Sequence, residues 1–329
     1  MTEAIARTSP FVIQRDGAPG DALRGAVLAI GNFDGVHRGH RAVIAAALAR
    51  ARALGRPAAA LTFEPHPAAV LRPQIPMFRL SDERGKLRLL AATGLDGAVV
   101  LTFDAALASL SPEQFVQQVL VERYRIAGAA IGFDFHFGKN RMGSPAFLQG
   151  EGARHGFAVD VLPPLQDEGR PVSSGTIRSA LAAGRVIEAA ELLGYPWFAS
   201  GTVIAGDKRG RELGYPTANL KLDPACGLKH GIYAVRVGLD GKLHDAVASF
   251  GRRPMFDNGA PLLEVFLFDF AGDLYGLSID VAFIGWIRQE LRFDSVEALV
   301  RQMHEDGARA REALSRAPGA FPPLGVIPA

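Results

Sequence analysis

The sequence predicts an α/β domain followed by an all-β domain, and three observations carry that division. Residues 26–184 alternate short β-rich runs with Ala-, Leu- and Arg-rich helical stretches, the pattern of parallel strands joined by crossover helices. Beyond residue 198 the runs are β-like, separated by Gly, Pro and Asp turns, with no helical pattern between them. A length of 329 residues is long for a single core and suits about two domains.

The elements follow in order. AVLAI (26–30) reads as a strand feeding a helix over 38–54, and PAAALTF (57–63) as a strand before a polar loop. SDERGKLRLLAATG (81–94) reads as a helix ending at Gly94, and GAVVLTF (97–103) as the next strand. SPEQFVQQVLVERY (111–124) has Ser111 at the N-cap and Gln114 three residues on, the signature of a capping box. GAAIGF (128–133) and FAVDVLP (157–163) are strands, and SSGTIRSALAAG (173–184) is a helix. Together these predict a doubly wound parallel sheet with helices on both faces. The texture changes after 184–198, which places the boundary near 190–198 and the domains at 11–192 and 198–316. Strand-like runs begin at GTVIAG (201–206), then GIYAVRVGLDGKLHDAVASFG (231–251), LLEVFLFDF (262–270) and LSIDVAFIGWI (277–287). Asp240-Gly241 marks a hairpin within the second, and the regular spacing predicts a sandwich or barrel. A final helix over 295–314 is expected to lie against it.

Composition narrows the function classes. Apolar residues make up 48% and charged residues 21%, which fits a folded globular chain. The net charge of +2 gives no field for nucleic acid, so an anionic ligand needs a local site. One cysteine, Cys226, excludes an internal disulfide, and without a CxxC pattern or flanking His it reads as a buried or incidental thiol. No stretch has the length of a membrane span and residues 1–20 lack an apolar secretory core, so a cytoplasmic address is expected.

GNFDGVHRGH (31–40) joins a strand to a helix start, where backbone N–H groups and the positive helix end favour anions. Glycines 31, 35 and 39 permit close backbone approach, and His37 and His40 share one face of the first turn. Taken alone, the pair fits two exposed helix-start histidines or a phosphate site. Zinc fits less well, because no third ligand stands at suitable spacing. A second stretch, GTVIAGDKRGRELGYPTANL (201–220), sets Gly206, Lys208 and Gly210 in a basic glycine-punctuated loop able to cradle phosphate. Thr217 and Asn219 then alternate onto one strand face, a hydroxyl and an amide oxygen suited to Mg²⁺. Glu264 interrupts the apolar run PLLEVFLFDF, where it is either a solvent-reaching edge residue or a carboxylate whose desolvation suits a base.

GNFDGVHRGH resembles the HxGH signature of α/β nucleotidyltransferases, in the form found in prokaryotic bifunctional riboflavin kinase/FAD synthetases. TFEPHP (62–67), GFDFHFGKNRMG (132–143) and VSSGTIRSAL (172–181) resemble later blocks of the same family, in order. The resemblance implies a Rossmann-like nucleotidyltransferase domain with a parallel sheet, in which the phosphate of FMN attacks the α-phosphorus of ATP and pyrophosphate leaves. His37, His40 and Arg178 would stabilise the phosphates, with Gly31, Asn32, Phe33, Gly35, Ser173 and Ser174 binding ATP. Phe63, Pro65, Asp134 and Phe137 would line the flavin. For the phenylalanines, a core role is the competing reading. Gly175 stands where the family usually has Thr.

Residues 198–314 resemble the riboflavin kinase module through GTV, GRELGYPTAN, GIYAV, FGRRP, LLEVFLFDF and DLYG, followed by IRxE (287–290). This implies a six-stranded antiparallel barrel with a C-terminal helix. There Mg-ATP meets riboflavin, Thr217 and Asn219 hold Mg²⁺, and Glu264 takes the proton of the ribityl 5′-hydroxyl. Met255 and Leu277 depart from the family pattern. The ligands implied are riboflavin, FMN, FAD, ATP and pyrophosphate, with no nucleic acid and no membrane, and a monomer or weak homo-oligomer. Two rivals stand against this reading: an HxGH transferase for another phosphate, which has no use for PTAN, and a flavin-binding protein with one dead site.

Overall fold

The computed structural model describes residues 10–17, 20–167, 169–205, 215–252 and 261–328. The expected phosphate contacts at Gly206, Lys208 and Gly210, and the departure at Met255, lie outside the described residues.

The N-terminal elements are β1 (Val12–Arg15), β2 (Val27–Ile30), α1 (Arg38–Leu54), β3 (Ala58–Glu64), α2 (Pro67–Leu71), α3 (Glu83–Ala91) and β4 (Gly97–Thr102). They continue through α4 (Ala105–Ser109), α5 (Pro112–Gln114), β5 (Gly128–Gly132), α6 (Pro145–His155) and β6 (Ala158–Leu162). A small hairpin, β7 (Gln166–Asp167) and β8 (Arg170–Pro171), precedes α7 (Ser174–Ala182) and α8 (Val186–Leu193). The sheet runs β1-β4-β3-β2-β5-β6 and every pairing is parallel. All four residues of β2 and all seven of β3 are buried, as expected when both faces are covered. Strand order reverses between β2 and β5, so the loops after these two strands flank a topological switch point.

The predicted strands and the helix after β2 fall where the periodicity puts them. The capping box at Ser111 has both halves in place. From Phe115 to Arg123, however, the chain winds as a π-helix, with Phe115, Val116, Val119 and Leu120 buried. Helix α3 stops short of Gly94: the Thr93 hydroxyl donates to the Leu90 carbonyl at 2.6 Å, and Gly94 follows at φ 93°. The polar loop after β3 contains a helical turn, α2, capped by His66. Elements β1, α4 and α6 have no counterpart in the periodicity. In α6 the cause is Gly150 and Gly152, which blur the apolar period. A Cβ on Gly152 would lie 2.6 Å from the Phe157 carbonyl, so only glycine fits there.

The C-terminal elements are β9 (Phe198–Thr202), β10 (Ala218–Lys221), β11 (Gly231–Leu239), β12 (Lys242–Arg252), β13 (Pro261–Leu267), β14 (Ser278–Arg288) and α9 (Val296–Ser315). Their order is β10-β13-β12-β11-β14-β9, antiparallel throughout. An antiparallel bridge between Ile204 and Asn219 brings the two ends together, giving a nearly closed six-stranded barrel. Asp240 and Gly241, at φ 47° and 75°, form the tight turn of the predicted hairpin. Helix α9 lies on β11, β12 and β14. It is pinned by a bidentate Arg288–Asp306 pair and by buried Arg236, whose Nη1 donates to the Ala317 carbonyl at 2.8 Å. Cys226 is buried.

By contacts the chain forms two compact units. One comprises Met1–Met77, Asp82–Ser173 and Pro323–Ala329, the other Phe78–Ser81 and Ser174–Pro322. Helices α7 and α8 therefore group with the barrel. Within that unit the 78–81 segment is held by Trp197 Nε1, which donates to the Leu80 carbonyl at 2.8 Å, and by Arg178 Nε, which donates to the Phe78 carbonyl at 2.6 Å.

Candidate functional site

In the first unit, the turn after β2 is held in a strained shape. Phe33 and Val36 are at φ 50° and 37°, values that cost a non-glycine residue free energy and persist only where the surroundings enforce them. Gly35 shares the left-handed region at φ 79°. His37 caps α1, its Nδ1 accepting from the His40 amide at 3.3 Å. The two imidazoles stack with centroids 3.6 Å apart, and Phe33 meets His40 edge-on at 5.2 Å. Space at Gly39 is tight: a Cβ there would lie 3.2 Å from the His37 ring and 3.3 Å from the Val172 carbonyl. The chain leading to Ser173 thus passes the His37 ring. Burial above all, and then the charges of His37 and Lys86, hold the His40 imidazole well below the usual range. Its Nδ1 is buried without a partner. His40 in this structure is therefore a neutral ring beside a helix N-terminus, and that amide-rich end attracts anions.

Under the turn lies a polar network that the motif reading does not assign. Lys86, on α3, and Glu64, at the end of β3, are 2% and 9% exposed and pair at 2.6 Å. Lys86 Nζ also donates to Thr62 Oγ1 and to the Phe63 carbonyl, each at 3.2 Å. Thr62 Oγ1 donates in turn to the Asn32 carbonyl at 3.1 Å. Removing one member of such a buried pair strands the other charge, at about 3–5 kcal/mol. A signal for both partners was present in the sequence. Thr62 and Glu64 alternate onto one face of an otherwise apolar strand, and Lys86 stands one turn before buried Leu90.

Of the expected flavin residues, Phe63 packs edge-on to Phe103 at 5.9 Å within the core, and Phe137 stacks with Phe135 at 5.4 Å. Asp134 and Phe133 are exposed on the loop after β5, beside the switch point. Asn32 is exposed at the mouth of the turn. Ser174 and Arg178 belong to the second unit, on α7, where Arg178 is half-buried.

In the barrel, register assembles a polar row. Asn219 on β10 is opposite Glu264 on β13, and Glu264 is opposite Ser249 on β12. Directly opposed residues share a face, so the three form one line across three strands. Glu264 is half-buried on an interior strand, between buried Leu263 and Val265 of the other face, and so is not an edge residue. Asn219 is 5% exposed, and its Nδ2 donates to the Thr217 carbonyl at 3.2 Å, which leaves the amide oxygen as the free end. Gly251 leaves room for the Glu290 carboxylate, into which a Cβ would collide. Next to the row, Tyr215 packs on Phe266 with tilted rings 4.8 Å apart, and its hydroxyl bonds His304 Nδ1 of α9 at 2.8 Å. The sequence reading assigns no role to Ser249, Glu290 or His304; register and helix docking bring Ser249 and His304 here. Among the described residues no cluster of three His, Cys, Asp or Glu side chains could hold a metal. A site of hydroxyl, amide and single carboxylate instead suits a hard cation that keeps its waters and phosphate oxygens.

Comparison with known proteins gives two family matches, FAD synthetase over residues 20–176 and riboflavin kinase over residues 193–314. The bifunctional riboflavin kinase/FMN adenylyltransferase of Pseudomonas fluorescens is 41% identical over 289 residues, 88% of this chain and 93% of that protein. Its namesake in Escherichia coli K12 is 40% identical, covering 88% and 92%. A crystal structure from Streptococcus pneumoniae, described as a macrolide-efflux protein, superposes with a TM-score of 0.82 at 31% identity over 92% of this chain and 99% of that one. No described helix of the present chain is long and apolar enough to cross a membrane.

Proposed function

The chain belongs to the bifunctional riboflavin kinase/FMN adenylyltransferase family, and from that premise we propose how its residues divide the work. The enzyme phosphorylates riboflavin to FMN and adenylates FMN to FAD, the first with its C-terminal module and the second with its N-terminal module. We take these modules as 11–192 and 198–316.

For adenylation, the 31–40 turn receives the ATP phosphates. Gly31, Asn32, Phe33 and Gly35 supply backbone, His37 and His40 supply N–H donors, and Ser173, Ser174 and Arg178 add contacts. An FMN phosphate oxygen attacks the α-phosphorus, the bond to the β-phosphate oxygen breaks, and pyrophosphate leaves. No covalent nucleophile is needed, because positioning and charge stabilisation suffice. The loop at Asp134 and Phe137, with Phe63 and Pro65, borders the flavin. The observation that carries this reading is the stacked His37–His40 pair at the switch-point turn, inside the FAD synthetase match.

For phosphorylation, Glu264 accepts the proton of the ribityl 5′-hydroxyl as that oxygen attacks the γ-phosphorus of ATP, and ADP leaves. Thr217 and Asn219 are the residues that would hold Mg²⁺, which neutralises phosphate charge when bound. The basic loop with Gly206, Lys208 and Gly210 completes the phosphate contacts. We place the enzyme in the cytoplasm, where its ATP is made, as a monomer or weak homo-oligomer.

The test is incubation of the full chain with riboflavin, ATP and Mg²⁺, followed by chromatography. FMN and then FAD are expected. In the His37→Ala enzyme FMN accumulates and FAD does not form. FAD formation at the wild-type rate by that variant overturns the assignment of the turn.

A further inference from the structure

A buried cation lies under the 31–40 turn and takes no part in the chemistry assigned to His37 and His40. The three N–H donors of Lys86 meet Thr62 Oγ1, the Phe63 carbonyl and the Glu64 carboxylate. Thr62 has a single hydroxyl proton. Because Lys86 can only donate, the hydroxyl accepts from it and spends its own proton on the Asn32 carbonyl. The relay therefore has one direction: ammonium to hydroxyl to the peptide that opens the turn.

We propose that Lys86 and Thr62 are positioning residues for adenylyl transfer, fixing the Asn32 peptide in the turn that receives the ATP phosphates. The inference rests on the reading of that turn as the phosphate site. Two observations argue for it over a packing role. Filling a core does not require a lysine, since apolar residues of like volume do so without desolvating a charge. The turn, moreover, holds two non-glycine residues, Phe33 and Val36, in the left-handed region, and such strain survives only under external constraint. The Thr62 hydroxyl ties that turn to β3, next to the amide of Gly31, which bonds the Leu61 carbonyl at 3.1 Å. The Lys86 charge also acts on His40, reinforcing its neutral form.

The test uses the full chain, with the urea-unfolding midpoint of the first unit in each variant as the control for folding. Thr62→Val keeps shape and loses the hydroxyl, whereas Thr62→Ser keeps the hydroxyl and loses a methyl. The relay predicts that Thr62→Val lowers kcat for FAD formation by about 10- to 100-fold, the scale of a misplaced reacting group, with KM for FMN within about twofold of wild type. Thr62→Ser should stay within about threefold of wild type. The opposite order, valine active and serine impaired, is the packing result and overturns the proposal. Lys86→Met should lose as much as Thr62→Val, and the two changes combined should lose no more than the larger alone, because both cut one path. Additive losses overturn the relay. If Lys86→Met does not fold, Lys86→Met/Glu64→Gln removes the stranded carboxylate and takes its place. A parallel His37→Ala arm separates the two readings. Retained FAD synthesis there breaks the assignment of the turn, whereas its loss beside a fully active Thr62→Val breaks only the present inference.

Discussion

The two proposed phosphate sites are built differently. At the first, the turn itself comes from ten consecutive residues, 31–40, shaped by a strand end, a strained turn and a helix start. In the barrel, Asn219, Glu264 and Ser249 come from three strands and meet only through register. The first is a backbone site with two neutral-capable rings and no base. The second places a single carboxylate among opposed polar residues. The contrast follows the chemistry. A phosphate nucleophile arrives already ionised and needs only a stabilised leaving group, whereas a hydroxyl needs a base.

This comparison breaks most readily at Glu264. Glu264→Ala should lower FMN formation by about 10²- to 10⁴-fold, the usual contribution of a general base, while FMN supplied directly still becomes FAD. An intact kinase in that variant removes the base from the barrel and makes both sites purely electrostatic. Next in size, His37→Ala should lower adenylation kcat by about 10²- to 10³-fold, the loss of one preorganised donor, with riboflavin phosphorylation unchanged in a coupled ADP assay. Gly39→Ala sharpens the picture of a tight backbone site. Its methyl would press on the His37 ring at 3.2 Å and the Val172 carbonyl at 3.3 Å, costing about tenfold in FAD synthesis and nothing in the kinase. A variant as active as wild type would show that the turn has slack.

The smallest effect concerns pH. His40 is held below its ordinary value of 6.5, so in the window beneath 6.5 the unfolded chain binds a proton that the folded ring refuses. Stability of the first unit should then be at its full value above 6.5 and decline as pH falls through that window. His40→Gln should flatten the decline in urea titrations at several pH values, and an unchanged slope would assign the pH dependence elsewhere.

The same contrast explains what could be read in advance. Alternating runs gave the strands β2 to β6 and the helix α1, because period and caps are local properties, and GNFDGVHRGH is legible as a strand-to-helix turn for the same reason. Ser249 escaped because nothing near it in sequence marks it; the barrel register brings it in, and the space over Gly251 gives Glu290 of the IRxE block its place. Lys86 escaped differently. A lysine on an amphipathic helix is ordinarily a solvated face, and only the polar pair Thr62 and Glu64 on the facing strand makes burial tolerable. The π-wound stretch after Gln114 had no sequence signal, since its apolar residues also fit an α-helix.

The two compact units do not follow each other along the chain. Phe78–Ser81 belongs with the barrel unit, and Pro323–Ala329 belongs with the first, where the Gly325 amide bonds the Arg88 carbonyl of α3 at 2.9 Å. During synthesis the chain emerges from its N-terminus, and domains fold as their segments become available. The FMN-making unit therefore has all its residues before the FAD-making unit does, although the latter begins first. The last segment of the chain is thus a strap across the helix that carries Lys86, joined to the unit that begins first.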